Sequence, residues 1–272
     1  MTAIPQHPQL QTRYERGVVY ATLNRPEVRN AMTRDMVAAI GALFDAVHDD
    51  REVRAIVLRG AGGHFCAGGD LKEMMAGGIE APGPDGLDPI AVHSRAFGAV
   101  MHKVGRAPQV VIAICEGAVL GGGFGLACVS DIAFAKSDAK FGLPETTRGL
   151  PPAQIAPFVV ERIGITAARR LCLTGAQFDG AEALRLGLVH EGFADEDELQ
   201  SKLNRVLEQV LNCAPQANAM TKDIILNVGR KAMDEVLDDA AQQFAKAVRG
   251  AEAPEGVAAF MQKRKPKWAN PA

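Results

Sequence analysis

The chain lacks any apolar run approaching the ~18 residues that a membrane-spanning helix requires, which excludes an integral helical membrane protein. Its first residues, Met1 to Leu10, lack the basic start and apolar stretch of a secretory signal, so a cytoplasmic location is expected. The five cysteines, Cys66, Cys115, Cys128, Cys172 and Cys213, include no CxxC pair. An odd, scattered set in that compartment argues against a disulfide framework and for small apolar fillers. The six histidines form no HExxH and no Cys/His cluster at zinc spacing, so no metal is expected. Excess charge is missing too: a formal net charge of −2 gives no reason to expect nucleic acid as the main partner. Familiar nucleotide and nucleophile motifs are also absent. The glycines at 121–125 fail GxGxxG at its last position, no GK[ST] follows a glycine loop, and no serine sits in GxSxG.

What is present is the composition of a globular protein, 272 residues with 47% hydrophobic and 23% charged. That length predicts one large domain with an appended helical piece. The turn Glu15-Arg16-Gly17 ahead of the alternating residues 18–23 predicts a strand pair. Thr33 reads as a helix N-cap, with Met36, Ile40, Leu43 and Val47 at helical spacing behind it. Residues 53–58, 110–114 and 132–135 are apolar runs of strand length, the first two running straight into glycine turns. Residues 76–89, rich in Gly and Pro, predict a mobile functional loop, followed by a helix over about 89–104. After Pro152 the pattern turns helical, at 153–163, 167–173, 181–186, 196–211, 217–228, 235–248 and 254–263. Strand, strand, helix recurs through the first half. The predicted fold class is therefore α/β, a ββα superhelix over residues 1–195 with a helical region over 196–272.

The chemistry is carried by two glycine-rich turns and one carboxylate. The turns are His64-Phe65-Cys66-Ala67-Gly68-Gly69-Asp70 and Glu116-Gly117-Ala118-Val119-Leu120-Gly121-Gly122-Gly123-Phe124-Gly125. Each follows an apolar, β-branched run and precedes a helical pattern, where backbone N–H groups are left free to bind an anion. Two such donors can hold one oxyanion, and Glu145, within Phe141-Gly142-Leu143-Pro144-Glu145, offers a proton acceptor beside it. Taken singly, a glycine triplet is a tight helix start and a glutamate after a proline faces solvent; the three pieces in order favour the site. His64, His93 and His102 read as surface or loop residues, and Met74-Met75 as pocket lining or core. The basic run Lys263-Arg264-Lys265-Pro266-Lys267 reads as a solvated tail that could also meet phosphates.

These residues resemble the enoyl-CoA hydratase/isomerase (crotonase) superfamily over nearly the whole chain, from Leu23-Asn24-Arg25-Pro26 to Phe260-Met261-Gln262-Lys263-Arg264. The resemblance implies a crotonase-like ββα superhelix with a helical C-terminal trimerisation region. It implies an acyl-CoA thioester substrate, no cofactor beyond the coenzyme A that the substrate carries, and homotrimers or homohexamers of two stacked trimers. By the same resemblance the amides of Gly69 and Gly122 hold the thioester oxygen and Ala67 contacts substrate. Asp70 and Leu71 help form the adenine pocket, and Phe260 and Lys263 lie near the CoA nucleotide, of this or a neighbouring subunit.

Glu145 matches the second of two glutamates used by hydratases of this family, and the first falls on Gly125. A lone glutamate is found in family isomerases and in bacterial hydratases of branched glutaconyl-CoA esters. The segment 149–160, Gly-Leu-Pro-Pro-Ala-Gln-Ile-Ala-Pro-Phe-Val-Val, looks like the second group, the 3-methylglutaconyl-CoA and isohexenylglutaconyl-CoA hydratases. The expected activity is thus hydration of a branched glutaconyl-CoA, with Glu145 acting first as base and then as acid. Arg148 is the candidate cation for a distal carboxylate, with Arg29 and Lys72 behind it. Two alternatives are an enoyl-CoA delta-isomerase on the same fold and an RNA-binding or scaffold role. The near-neutral charge speaks against the latter.

Overall fold

A computed structural model of the chain describes residues 3–76, 86 and 88–269. Strands β1 (Leu10–Glu15) and β2 (Val18–Leu23) form the expected antiparallel hairpin. Arg16 and Gly17 both take positive φ, the two-residue turn whose twist matches that of the flanking strands. Helix α1 (Arg34–Val47) opens at Thr33, whose hydroxyl accepts the Met36 N–H at 3.1 Å. Next come β3 (Ala55–Gly60), the short α2 (Leu71–Ala76) and α3 (Pro89–Gly105), which Asp88 caps. The loop expected over 76–89 lies largely outside the described residues.

Then follow β4 (Val110–Cys115), β5 (Ala118–Leu120), α4 (Gly122–Val129), β6 (Ile132–Lys136), β7 (Lys140–Gly142) and α5 (Ala156–Thr174). The two helices expected at 153–163 and 167–173 form this one element, broken at Gly164, where φ is 75° and ψ 158°. The chain continues through β8 (Gln177–Phe178), α6 (Gly180–Arg185), β9 (Glu191–Phe193), α7 (Glu196–Asn212), α8 (Pro215–Asn227), α9 (Met233–Arg249) and α10 (Glu252–Met261).

The strands form a six-stranded sheet in the order β1-β2-β3-β4-β6-β9, parallel except for the first pair, and a small sheet β5-β7-β8. A strand of the large sheet, a short strand of the small one and a helix repeat as β4-β5-α4 and again as β6-β7-α5, the spiral read from the sequence. Cys66 bridges Val119 in parallel and so adds the first glycine turn to the small sheet.

Both faces of the large sheet are covered, which is why β3 and β4 read as continuous apolar runs instead of alternating ones. Val111, Ala113 and Cys115 of β4 enter one core with α1 and α4, while Ile112 and Ile114 enter a second. Leu199, Leu203, Val206, Leu207 and Val210 of α7, one stripe at helical spacing, close that second core. The expected boundary at 195/196 falls at the start of this helix, and the helix is built into the sheet. Helices α8 to α10 bury only Val236 and Ala259.

Arg54, 5% exposed at the start of β3, reaches the end of α7 and the chain's last turn. It donates to the carbonyls of Cys213 and Trp268, with Val210 and Leu211 at 3.4 Å. Four of the five cysteines are buried as expected, but Cys213 is exposed, at the C-cap of α7 where the backbone turns extended and leaves the helix.

Candidate active site

The first turn is held by residues upstream of α1. Asn30 is fully buried; its Nδ2 donates to the carbonyls of Ala61 (2.9 Å) and His64 (2.6 Å), and its Oδ1 accepts the Arg25 N–H at 2.8 Å. His64 lies in a loop, one of the two placements expected, and is half-buried there. Its Nδ1 accepts the Ala118 N–H at 3.0 Å and so ties the first turn to β5. The two turns are then laced like neighbouring strands. Phe65 N–H donates to Glu116 O (2.8 Å), Cys66 N–H to Ala118 O (2.9 Å) and Leu120 N–H to Cys66 O (2.9 Å). The Cys66 thiol is pushed up to about 12 by its burial, so it stays a neutral filler.

Glycine is required where the turns touch. Gly68 and Gly121 have φ of 100° and 50°, and a Cβ on Gly121 would stand 3.5 Å from Gly68 Cα and 2.6 Å from Glu145 Oε1. The three pieces singled out in the sequence therefore converge on one point. Around that point the Gly68 N–H is directed to Cys66 Sγ, the Asp70 N–H to Met32 O and the Gly121 N–H to Gly142 O. The amides of Gly69 and Gly122 have no acceptor among the described residues. Gly122 is also the first residue of α4, whose dipole adds positive potential at its amide.

Glu145 lies in a 3-10 turn, Pro144–Arg148, fixed from behind by α5. Thr146 Oγ1 donates to Cys172 O at 3.0 Å and Thr147 Oγ1 to Pro144 O at 2.7 Å. Glu145 Oε2 is buried without a hydrogen-bond partner among the described residues. Burial raises the carboxyl above its ordinary value, and the nearby Arg148 charge opposes that shift only in part. Gly125, where a second carboxylate would fall, is walled instead by Ile155 and Met101, whose nearest atoms would stand 3.3 and 3.6 Å from a Cβ there. Met32 and the Phe97 ring close over Gly122, and Met74 Sδ would stand 3.5 Å from a Cβ on Gly69, so Met74 lines the pocket while half exposed. The Met75 side chain lies outside the described residues.

The remaining sequence candidates are spread more widely. Ala67 donates its N–H to the Arg29 carbonyl at 2.9 Å. Asp70 is committed within the fold: its carboxylate pairs with Arg25 at 2.9 Å and caps α2 through the Lys72 and Glu73 amides. The Arg25 guanidinium holds that carboxyl below its ordinary value. Leu71, Lys72, Arg29 and Arg148 are exposed, and Arg148 has no ion-pair partner among the described residues. Helix α10 packs on α9 and leaves Phe260 84% exposed and Lys263 exposed. His93 and His102 are exposed, as expected. Among the described residues, no group of three or more His, Cys, Asp and Glu is placed to hold a metal ion.

Asn30, His64, Arg25 and Thr146 shape the site without having been legible as site residues. Their partners lie 26 to 54 positions away for the side-chain bonds of Asn30 to the turn, His64 and Thr146, and no local motif marks such pairs.

A ββα spiral that brings two glycine turns, each with an unpaired amide, together beside one buried carboxylate has the parts that holding an oxyanion and moving a proton beside it require. The chain belongs to the enoyl-CoA hydratase/isomerase family, whose model matches residues 13–271. It is a crotonase-fold enzyme of the enoyl-CoA hydratase type, acting on acyl-CoA thioesters. Among solved structures it is similar to an enoyl-CoA hydratase/isomerase from Marinobacter aquaeolei, with 53% identity, a TM-score of 0.93, and 96% of this chain and 99% of that one covered. It is likewise similar to Pseudomonas aeruginosa AtuE, with 57% identity, a TM-score of 0.91 and coverage of 96% and 100%. A short-chain-enoyl-CoA hydratase of Clostridium acetobutylicum is 30% identical, with 92% of this chain and 94% of that protein covered.

Proposed function

We propose that the protein hydrates the α,β-double bond of a branched glutaconyl-CoA ester, 3-methylglutaconyl-CoA or isohexenylglutaconyl-CoA. The observation that carries this reading is the buried, unpartnered Glu145 Oε2 beside the two unpaired amides. With the thioester oxygen on Gly69 and Gly122, water placed at Glu145 attacks the β-carbon as Glu145 accepts its proton. The electron pair of the double bond moves to the carbonyl oxygen, and the enolate collapses as Glu145 returns the proton to the α-carbon. Losing one such donor typically costs about 2.7–4 kcal/mol of barrier. Arg148, exposed and free of ion pairs among the described residues, is the cation proposed for the distal carboxylate. Ala67 is assigned to the substrate, and Asp70 and Leu71 to the adenine end, where the Asp70 carboxylate, N–H and carbonyl are already engaged within the fold.

The test is direct. Wild-type protein mixed with 3-methylglutaconyl-CoA should bleach the conjugated thioester absorbance and take up solvent oxygen. Conjugation of a 3-enoyl-CoA ester with no hydration of any 2-enoyl ester would replace this reading with isomerisation.

We also assign the chain to a homotrimer or homohexamer. Phe244 (73% exposed) and Phe260 stand out from α9 and α10 with Val248, Val257 and Met261, apolar side chains that a subunit contact would cover. Lys263 at the end of α10 would then reach a neighbour's CoA phosphates. In sedimentation velocity the wild type is expected to run as a trimer or hexamer, and Phe244→Asp as a monomer; a monomeric wild type overturns the assignment.

A further inference from the structure

Gly98 sits in the middle of α3, where glycine weakens a helix, and it is buried. The side chain of Gln154 explains it. Gln154 Oε1 stands where a Cβ on residue 98 would be, with Cδ 2.9 Å and its own Cβ 3.3 Å from that point. Glycine at 98 thus admits a carboxamide against the helix backbone, with the oxygen facing the Gly98 Cα–H as weak C–H donors prefer. The Gln154 NH2 has no acceptor among the described residues, and Gln154 is half-buried, so that this donor is open to solvent.

The chain neighbours of this pair border the catalytic pocket. Phe97, next to Gly98, closes over Gly122; Met101, one turn on, faces Gly125; Ile155, next to Gln154, faces Gly125 from the other side. The wall between α3 and α4 is therefore built of Phe97, Met101, Ile155 and Met32, and Gln154, seated on Gly98, is the polar side chain next to it in the chain. A donor beside an apolar wall favours a substrate that brings an acceptor to it over one that brings none.

We propose that Gln154 is a specificity-determining residue, its carboxamide NH2 seated on Gly98 so as to donate a hydrogen bond to the distal carboxylate of the acyl group. This rests on the glutaconyl reading above. Arg148 supplies charge from the exposed side, and Gln154 supplies direction from the apolar side.

The experiment compares kcat/KM for 3-methylglutaconyl-CoA with that for 3-methylpent-2-enoyl-CoA, in which a methyl replaces the carboxylate. Gln154→Leu is expected to lose roughly 10- to 100-fold on the first ester, chiefly through KM, and under about threefold on the second. Gly98→Ala, whose methyl displaces the carboxamide, should shift the ratio the same way. Turnover of the uncharged ester is the control for folding. A wild-type preference for the carboxylated ester that Gln154→Leu retains overturns this inference and leaves the glutaconyl reading standing. Equal losses on both esters also overturn it, because they mark a merely structural residue. A wild type with no preference for the carboxylated ester overturns both.

Discussion

Glu145→Gln is expected to lower kcat by roughly 10²–10⁴-fold, the range supplied by a positioned acid–base group, with little change in KM. The amide keeps the shape of the carboxyl and its packing against Gly121, but it neither accepts the water proton nor returns one. The same substitution is expected to raise thermal stability at neutral pH. Burial raises the Glu145 pKa in the folded state, so its contribution to stability is fully present below the unfolded value and is lost as pH rises through the folded one. Glutamine, neutral at every pH, escapes that loss. Wild-type kcat should accordingly rise with pH along a limb displaced above the ordinary carboxylate range, and the difference in Tm between variant and wild type should grow along the same limb. A variant that keeps wild-type turnover of glutaconyl-CoA esters would show that the base lies elsewhere.

Gly123→Ala is the second change with a large expected effect, although residue 123 touches no substrate. A Cβ there would stand 2.5 Å from Cys66 O and 2.7 Å from Cys66 Cβ, and Cys66 O already accepts the Leu120 N–H. The first turn cannot yield at a side-chain tip. It must move as backbone, carrying Gly69 away from Gly122. A displacement of about 1 Å at a reacting centre costs on the order of 10²-fold, and overpacking costs about 1–3 kcal/mol of stability. The measurement is kcat together with Tm. Unchanged kcat in a destabilised variant would mean that the spacing of the two turns is not what sets the rate.

The helices were legible in the sequence wherever one stripe faces a core, as with Leu199, Leu203, Val206, Leu207 and Val210 on α7, or where a cap such as Thr33 marks the start. The strands β5, β7, β8 and β9 were not separately legible, because two or three residues carry no periodicity and are held only by neighbours distant in the chain. Within the site, Gly69, Gly122 and Glu145 could be read because glycine turns and an acid after them announce their chemistry locally. The parts that His64 and Asn30 play were not legible for the opposite reason: a histidine or asparagine in a loop looks the same in sequence whether it meets solvent or holds a turn 54 or 31 residues away. Gln154 belongs with them, since its meaning depends on a glycine in another helix.

The fastening of the chain's end has a consequence of its own. Arg54 grips carbonyl oxygens of the end of α7 and of Trp268, whereas Lys222 with Asp131 and Arg106 with Asp223 link α8 to the body as charge pairs. The joint between the sheet and the chain's last turn therefore holds without any carboxylate taking part in it.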